Sequence, residues 1–242
     1  MIAEIMIQAK DSMNNQTSLW FLERVDLFEL MCPTKTPYLE EKHSPNIFKK
    51  DQFIYFPDEP SNHVFLIANG RVKIGSYSDN GKEVIKAILG EGELFGELSL
   101  TGEGVRSDFA QSLDNDTRIC QMNIDDMQVM MKSNQPLSLK IFKLMGLRIK
   151  KIERRLESLV FKDARSRVVE FLYELAEERG QKVGFEIMVK NHFTHKDIAS
   201  LTGTSRQTVT TILNELKEKN LINFDRRRIL IRDMNKLSAE LD

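Results

Sequence analysis

The stretch His195–Asn214 constrains this chain more than any other, because its spacing predicts two short helices joined by a tight turn. Ala199 is small where the two helices must cross closely, and Gly203 follows where the chain turns and a positive φ costs little. Thr194 and Ser205 are suited to cap the two helices. Such a unit places the N-terminal turn of its second helix in the major groove of DNA. The alternative is an αα-corner in an unrelated helical domain.

The composition is that of an ordinary globular protein with room for one large domain or two small ones. Of 242 residues, 41% are hydrophobic and 29% charged. The sequence contains neither a run of 18 apolar residues nor a basic leader, so we expect a cytoplasmic protein without a membrane partner. Two cysteines, Cys32 and Cys120, cannot form a disulfide framework. No metal-ligand spacing and no nucleophile–base pair is evident, so neither a metal site nor an enzyme is expected.

The net charge of −1 hides an asymmetry along the chain. Residues 1–139 carry a net charge of −8, residues 140–160 of +5 and residues 161–242 of +2. The acidic part is a poor surface for nucleic acid, and the basic remainder is a better one.

The first half of the chain changes character at Asn46. We expect residues 1–20 to form a flexible tail. From Asn46 to Gln121, short apolar alternations are separated by turn signals, which predicts an antiparallel barrel or sandwich. The predicted core of this sheet domain comprises Phe53, Tyr55, Val64, Leu66, Val72, Ile74, Val84, Ile88 and Leu89.

A long basic helix follows, with apolar residues spaced alternately three and four apart. They are Phe142, Met145, Ile149, Ile152, Leu156 and Leu159. A narrow apolar stripe on so basic a helix favours a two-stranded coiled coil, hence a homodimer. The alternative is a single amphipathic helix that packs on its own domain.

Further signals flank the helix-turn-helix. Asp163 is the predicted N-cap of a helix that buries Val168, Val169, Leu172 and Leu175, with Gly180 as its C′ residue. After the second helix of the pair, a strand, the basic turn Asp225–Arg228 and another strand predict a hairpin, which in this position is a wing.

A second motif spans Gly92–Leu100 and continues to Arg106 and Ser107. Glycines let the backbone approach a phosphate, an arginine can pair with it at two points, and a carboxylate can accept from a ribose hydroxyl. One short site thus holds phosphate donors and a sugar acceptor. The alternative is a turn with a structural Glu97–Arg106 ion pair that binds nothing.

In this order, the barrel, the basic helix and the winged helix-turn-helix resemble the cyclic-AMP receptor protein/FNR (Crp/Fnr) family of bacterial transcription regulators. The resemblance runs from Phe48 to Arg232. It rests on Phe53–Pro57, Asn69-Gly70, the Gly92–Ser107 motif, Val160–Asp163 and Ser205–Val209. It implies an α+β chain made of a cyclic-nucleotide-binding-like antiparallel β-barrel (jelly roll), a long dimerisation helix and a C-terminal winged helix-turn-helix. The expected segments are a tail at 1–20, an effector domain at 21–136, the dimerisation helix at 137–161 and a DNA-binding domain at 162–242.

The resemblance also implies an effector site. Gly96 and Glu97 match residues that hold the ribose, Arg106 and Ser107 match those that hold the cyclic phosphate, and Leu98 lies among them. The cyclic-AMP receptor protein uses a Thr-Ser pair to reach the adenine. Counted back from Phe161–Asp163, these positions are Lys151 and Ile152. The expected effector is therefore a cyclic nucleotide or another small phosphorylated compound, with Lys151 placed to meet an anionic one.

For DNA, Arg206 matches an arginine that reads guanine. Gln207 and Thr211 replace a glutamate and an arginine of the cyclic-AMP receptor protein, so we expect a related but different palindromic site. Residues expected at the phosphates or groove are Thr194, Lys196, Ser205, Thr208, Arg226, Arg227 and Arg228. RNA polymerase is the expected protein partner. Two alternatives stay open: a ligand-binding or scaffolding protein whose winged helix contacts proteins, and an effector-independent regulator with a vestigial pocket.

Overall fold

The computed structural model describes residues 27, 45–81, 83–190, 193–225 and 228–241, so the predicted tail and the wing residues Arg226 and Arg227 lie outside it. The chain divides into two compact units. One contains the chain up to Ile74 together with Ile88–Arg148, and the other contains Gly75–Ala87 together with the chain from Ile149 onwards. None of the described helices is both long enough and apolar enough to cross a membrane.

Eight strands form two four-stranded sheets in the first half of the chain. They are β1 (Asn46–Phe48), β2 (Phe53–Tyr55), β3 (His63–Asn69), β4 (Val72–Tyr77), β5 (Glu83–Leu89), β6 (Leu94–Phe95), β7 (Phe109–Ser112) and β8 (Thr117–Asn123). The sheet orders are β1-β8-β3-β6 and β2-β7-β4-β5. In the first sheet, β8 pairs antiparallel with β1 and with β3. This arrangement confirms the predicted antiparallel sheet domain.

Two helices follow, α1 (Ile124–Ser133) and the 27-residue α2 (Gln135–Phe161). Met127 of α1 and Leu137 and Ile141 of α2 are buried in one cluster with Val64 and Leu66 of β3. The first turns of α2 are thereby fixed to the first sheet.

The exposed apolar stripe of α2 covers most of the predicted heptad positions. Phe142, Ile149, Ile152, Leu156 and Leu159 are 44–68% exposed. Met145 differs, because it is partly buried against the cluster beneath the first sheet. The predicted stripe therefore has an inward-turned residue near its start.

The C-terminal part contains α3 (Ala164–Arg179), β9 (Gln181–Val183), β10 (Glu186–Lys190), α4 (His195–Thr202), α5 (Arg206–Glu218), β11 (Ile222–Phe224), β12 (Arg228–Ile231) and α6 (Met234–Ser238). The sheet order is β11-β12-β10-β9. Its core joins Val168, Val169, Leu172 and Leu175 of α3 to Val209 and Ile212 of α5, as the sequence predicts for α3.

Two local predictions were wrong. Val84 is 43% exposed and Ile85 is buried instead, because β5 has apolar residues at both alternating positions and the pattern does not choose its inner face. Gly180 has an ordinary φ of −73° rather than the left-handed conformation of a C′ glycine. Glycine is required at this position because a Cβ would lie only 2.2 Å from Ala176 O.

Candidate functional sites

Both helices of the helix-turn-helix begin at the predicted caps. The Thr194 hydroxyl accepts from Asp197 N (3.1 Å), and the Asp197 carboxylate accepts from Thr194 N (2.8 Å), which completes a capping box. The Ser205 hydroxyl accepts from Thr208 N (3.0 Å) at the start of α5. These bonds satisfy backbone donors that a helix start otherwise leaves unpaired. The two helices are thus defined by local chemistry.

The turn between α4 and α5 depends on Gly203, whose φ is +63°. A Cβ at this position would lie 2.6 Å from Cδ2 of Leu159, so a leucine of the α2 stripe sits directly against the turn. Arg167 of α3 adds a second restraint, because its guanidinium donates to Thr202 O (2.8 Å), Gly203 O (3.2 Å) and Lys162 O (2.7 Å). The sequence carries no local signal for this role of Arg167, since the two carbonyls that it binds on α4 and its turn lie 35 and 36 residues away.

One face of α5 is buried and the other is open. Val209 and Ile212 lie in the core, whereas Arg206, Gln207 and Thr211 are exposed. This puts a guanidinium and an amide side by side on the first turn of the helix. Thr208 is half-buried, and its hydroxyl lies 2.8 Å from that of Ser205.

A hydrogen-bond chain links α4 to the start of α5. His195 Nδ1 lies 2.8 Å from the Thr210 hydroxyl, which donates to Arg206 O (2.9 Å). Since that hydroxyl proton is used, Nδ1–H of His195 is the donor to Thr210. Burial and, secondly, the charge of Arg206 lower the pKa of His195 below its ordinary value.

Two residues that are expected to contact DNA phosphates form ion pairs with carboxylates. Lys196 Nζ lies 2.9 Å from Glu83, while its side chain remains 70% exposed. Arg228 Nε lies 2.9 Å from Asp225 in the described part of the wing. Both cations face solvent.

The Gly92–Ser107 motif forms a turn and a short 3-10 helix, Glu97–Thr101. Gly96 precedes the helix with φ +71°, and a Cβ there would lie 2.9 Å from both Arg106 Nη1 and the Phe65 ring. Only glycine fits this conformation and space. Leu98 is exposed on the short helix.

Arg106 is 2% exposed and faces inward. It donates to Gly96 O (3.2 Å) and to His63 O (2.5 Å), and its guanidinium lies 4.6 Å from the centre of the Tyr55 ring. The Tyr55 hydroxyl donates to Asp108 (3.1 Å), and burial followed by the Asp108 charge raises the pKa of Tyr55 strongly. In this conformation Arg106 holds the motif to β3.

Glu97 pairs with Arg148 of α2, which also donates to Leu94 O. The alternative to a binding site was a structural Glu97–Arg106 ion pair, but the partner of Glu97 is instead Arg148, which belongs to none of the sequence motifs. A signal for it exists: Arg148 follows Ile141, Leu144 and Met145 on the helix face that packs on the sheet. A charged residue at such a position needs an internal partner.

The other expected effector residues have partners of their own. Ser107 donates to Glu103 (2.8 Å), and Ser61 donates to the second oxygen of the same carboxylate (3.0 Å). Lys151 belongs to the second unit, where it pairs with Glu178 (3.1 Å). Within the described part of the chain, no three His, Cys, Asp or Glu side chains are grouped to hold a metal ion.

Known proteins resemble both parts of the chain. Residues 45–134 match the model of the cyclic nucleotide-binding domain, and residues 166–240 match that of the Crp-like helix-turn-helix domain. The chain is 27% identical over 217 residues to the CRP-like cAMP-activated global transcriptional regulator of Mycobacterium tuberculosis, which covers 90% of this chain and 96% of that protein. It is 31% identical over 186 residues to the global nitrogen regulator of Synechococcus elongatus, with coverages of 76% and 83%. The structure of a CooA variant from Carboxydothermus hydrogenoformans matches with a TM-score of 0.77 and 29% identity, over 90% of this chain and 97% of that one.

Proposed function

Because this chain belongs to the Crp/Fnr family of DNA-binding transcription regulators, we propose that it acts in the cytoplasm as a homodimer on a palindromic DNA site, modulated by a small effector. The observation that carries the DNA site is the open face of α5. Arg206 and Gln207 stand exposed on its capped first turn, the part of a recognition helix that meets base edges.

Each of these side chains suits a base. The fork of the Arg206 guanidinium fits the O6 and N7 atoms of guanine, and the Gln207 amide fits N6 and N7 of adenine. Thr194, Lys196, Ser205, Thr208 and the wing arginines are proposed to hold phosphates. These contacts position the protein but carry no sequence information.

The test uses a palindromic duplex selected from a random library. We expect affinity, measured by fluorescence anisotropy, to fall about a thousandfold between 50 and 200 mM salt. Arg206→Ala is expected to cost about 1–3 kcal/mol per half-site while random duplex binds as before. Arg118→Ala, which removes an exposed arginine of β8, is the matched control. Selectivity that survives in Arg206→Ala would contradict the assignment.

For the effector, we propose a cyclic nucleotide or another small phosphorylated compound, held at the Gly96–Ser107 segment. The match to the cyclic nucleotide-binding domain supports this choice. Glu97 is the proposed sugar acceptor, and its pairing with Arg148 means that a ligand must displace or share that arginine. The inward-facing Arg106 favours the second candidate, a regulator that needs no effector.

Thermal stability with a panel of cyclic and linear nucleotides separates these two candidates. A ligand at 100 times its Kd adds about 2.7 kcal/mol to the unfolding free energy. We expect one nucleotide to raise the Tm, and Glu97→Gln to abolish the rise, as Arg106→Ala also should. Glu91→Gln, on an exposed turn outside the proposed site, is the control. No rise across the panel would favour the effector-independent regulator.

RNA polymerase is the proposed protein partner, since a regulator bound at a promoter must act on transcription.

A further inference from the structure

The hairpin segment Gly75–Ala87 contacts the first helix of the helix-turn-helix within the second unit. Glu83 pairs with Lys196 at the start of α4 (2.9 Å), and the Ile85 amide donates to the Ser200 hydroxyl (2.8 Å) near its end. The two contacts lie about one turn of α4 apart. The hairpin therefore follows the helix rather than touching it at a single point.

Arg155 of α2 fastens the same two elements. Its guanidinium donates to Ser200 O (2.8 Å), Lys86 O (3.2 Å) and Ile85 O (3.4 Å). Arg155 is half-buried, and burial lowers its pKa below the ordinary value. Because one guanidinium donates to backbone carbonyls of both the hairpin and α4, it fixes the position of the hairpin on the helix.

Glu83 is well placed to compete with DNA. Its side chain is 14% exposed and its carboxylate raises the pKa of Lys196, whereas the Lys196 side chain is 70% exposed. The lysine is thus accessible to a phosphate, but its charge is already matched by a fixed anion.

We propose that Glu83, positioned by the Arg155 contacts, limits the affinity for DNA by holding Lys196. This inference rests on the proposed DNA-binding function and adds an internal contact that lowers the affinity for DNA. Binding to DNA exchanges the Glu83 carboxylate for a phosphate oxygen on the Lys196 ammonium group. The exchange lowers the net gain from that phosphate contact, and any event that moves the hairpin changes the affinity.

The test measures affinity for the selected duplex at constant salt. Glu83→Gln is expected to bind roughly two- to fivefold more tightly than the wild type, the range of an exposed ion pair. Glu91→Gln removes the same charge from an exposed turn of the first unit and is expected to change nothing. In a Lys196→Gln background, Glu83→Gln is expected to have no effect. An unchanged or weaker affinity for Glu83→Gln, or a gain that persists in that background, would overturn the proposal.

A measurement without DNA keeps this inference separate from the proposed function. We expect the Ile85 amide to be protected from hydrogen exchange, and Ser200→Ala to accelerate its exchange. Equal exchange in both proteins would show that the hairpin does not bind α4. It would overturn the proposal that Glu83 limits DNA affinity, whether or not the protein binds DNA. Failure of the wild type to bind any duplex would refute the proposed function instead.

Discussion

At the scale of single residues, the start of the recognition helix α5 depends on an imidazole of the preceding helix. His195 donates to Thr210, and Thr210 donates to the carbonyl of Arg206. The ring is half-buried and lies near the Arg206 guanidinium, so both surroundings oppose a second proton on it. The proposed guanine-reading residue is therefore tied to a titratable group whose pKa lies below its ordinary value.

We predict a pH dependence of stability from His195. Its pKa in the folded protein lies below its ordinary value of 6.5, so the unfolded chain binds the proton first. The free energy of unfolding should therefore decrease as the pH falls through 6.5. Urea unfolding at pH 7.5 and 5.5 measures the change, and His195→Gln should show a smaller decrease. An equal decrease in both proteins would contradict this role.

At the scale of elements, α3 is fixed at its beginning by a side chain. Asp163 accepts a hydrogen bond from Ser166 N (2.7 Å), and this bond holds the pKa of Asp163 below its ordinary value. One turn later, Arg167 binds the carbonyls at the end of α4 and in its turn. The start of α3 thus orders both its own backbone and the helix-turn-helix.

Removal of this cap should destabilise the protein. Asp163→Ala is expected to lower the free energy of unfolding by about 1 kcal/mol, because a backbone donor loses its acceptor. The stabilisation by the carboxylate is present above the unfolded pKa of about 3.9 and is lost as the pH falls through the lower folded value. Asp163→Asn keeps a capping oxygen but should lose this acid dependence. Denaturation of the three proteins at pH 7 and pH 3 checks both expectations.

At the scale of the whole molecule, α2 is unusual because it leaves an apolar stripe exposed on a basic helix. Five residues spaced at heptad positions are open in the single chain, which is what a two-stranded seam provides. A second copy of the chain is the partner that we propose for it. Two copies would also supply the two recognition helices that a palindromic site requires.

Ile152→Glu should break this dimer, since it places a charge in the middle of the stripe. We expect dimerisation to weaken by roughly tenfold or more in sedimentation equilibrium, with loss of binding to the palindrome. Lys150→Glu alters an exposed position of the same helix outside the stripe and is expected to leave the dimer intact. A monomeric wild type, or a dimer that tolerates Ile152→Glu, would refute the seam.

Most of the helix-turn-helix could be predicted from sequence because its determinants are local. Thr194, Gly203 and Ser205 act on backbone within a few residues of themselves. The Gly92–Ser107 motif stands out in the sequence by its glycines and by Arg106, but its internal pairing does not. Glu97 meets Arg148 across 51 positions of the chain, and no short-range pattern encodes such a distance.

Leu159 and Gly203 constrain how this protein can be altered. The leucine closes the stripe of α2, and its methyl group fills the space that any side chain at position 203 would need. A larger residue at 159, chosen to tighten assembly, would press on the turn that aims the recognition helix. A smaller residue at 159 would free that space without making position 203 open to substitution, because the φ of +63° at Gly203 strains any side chain there.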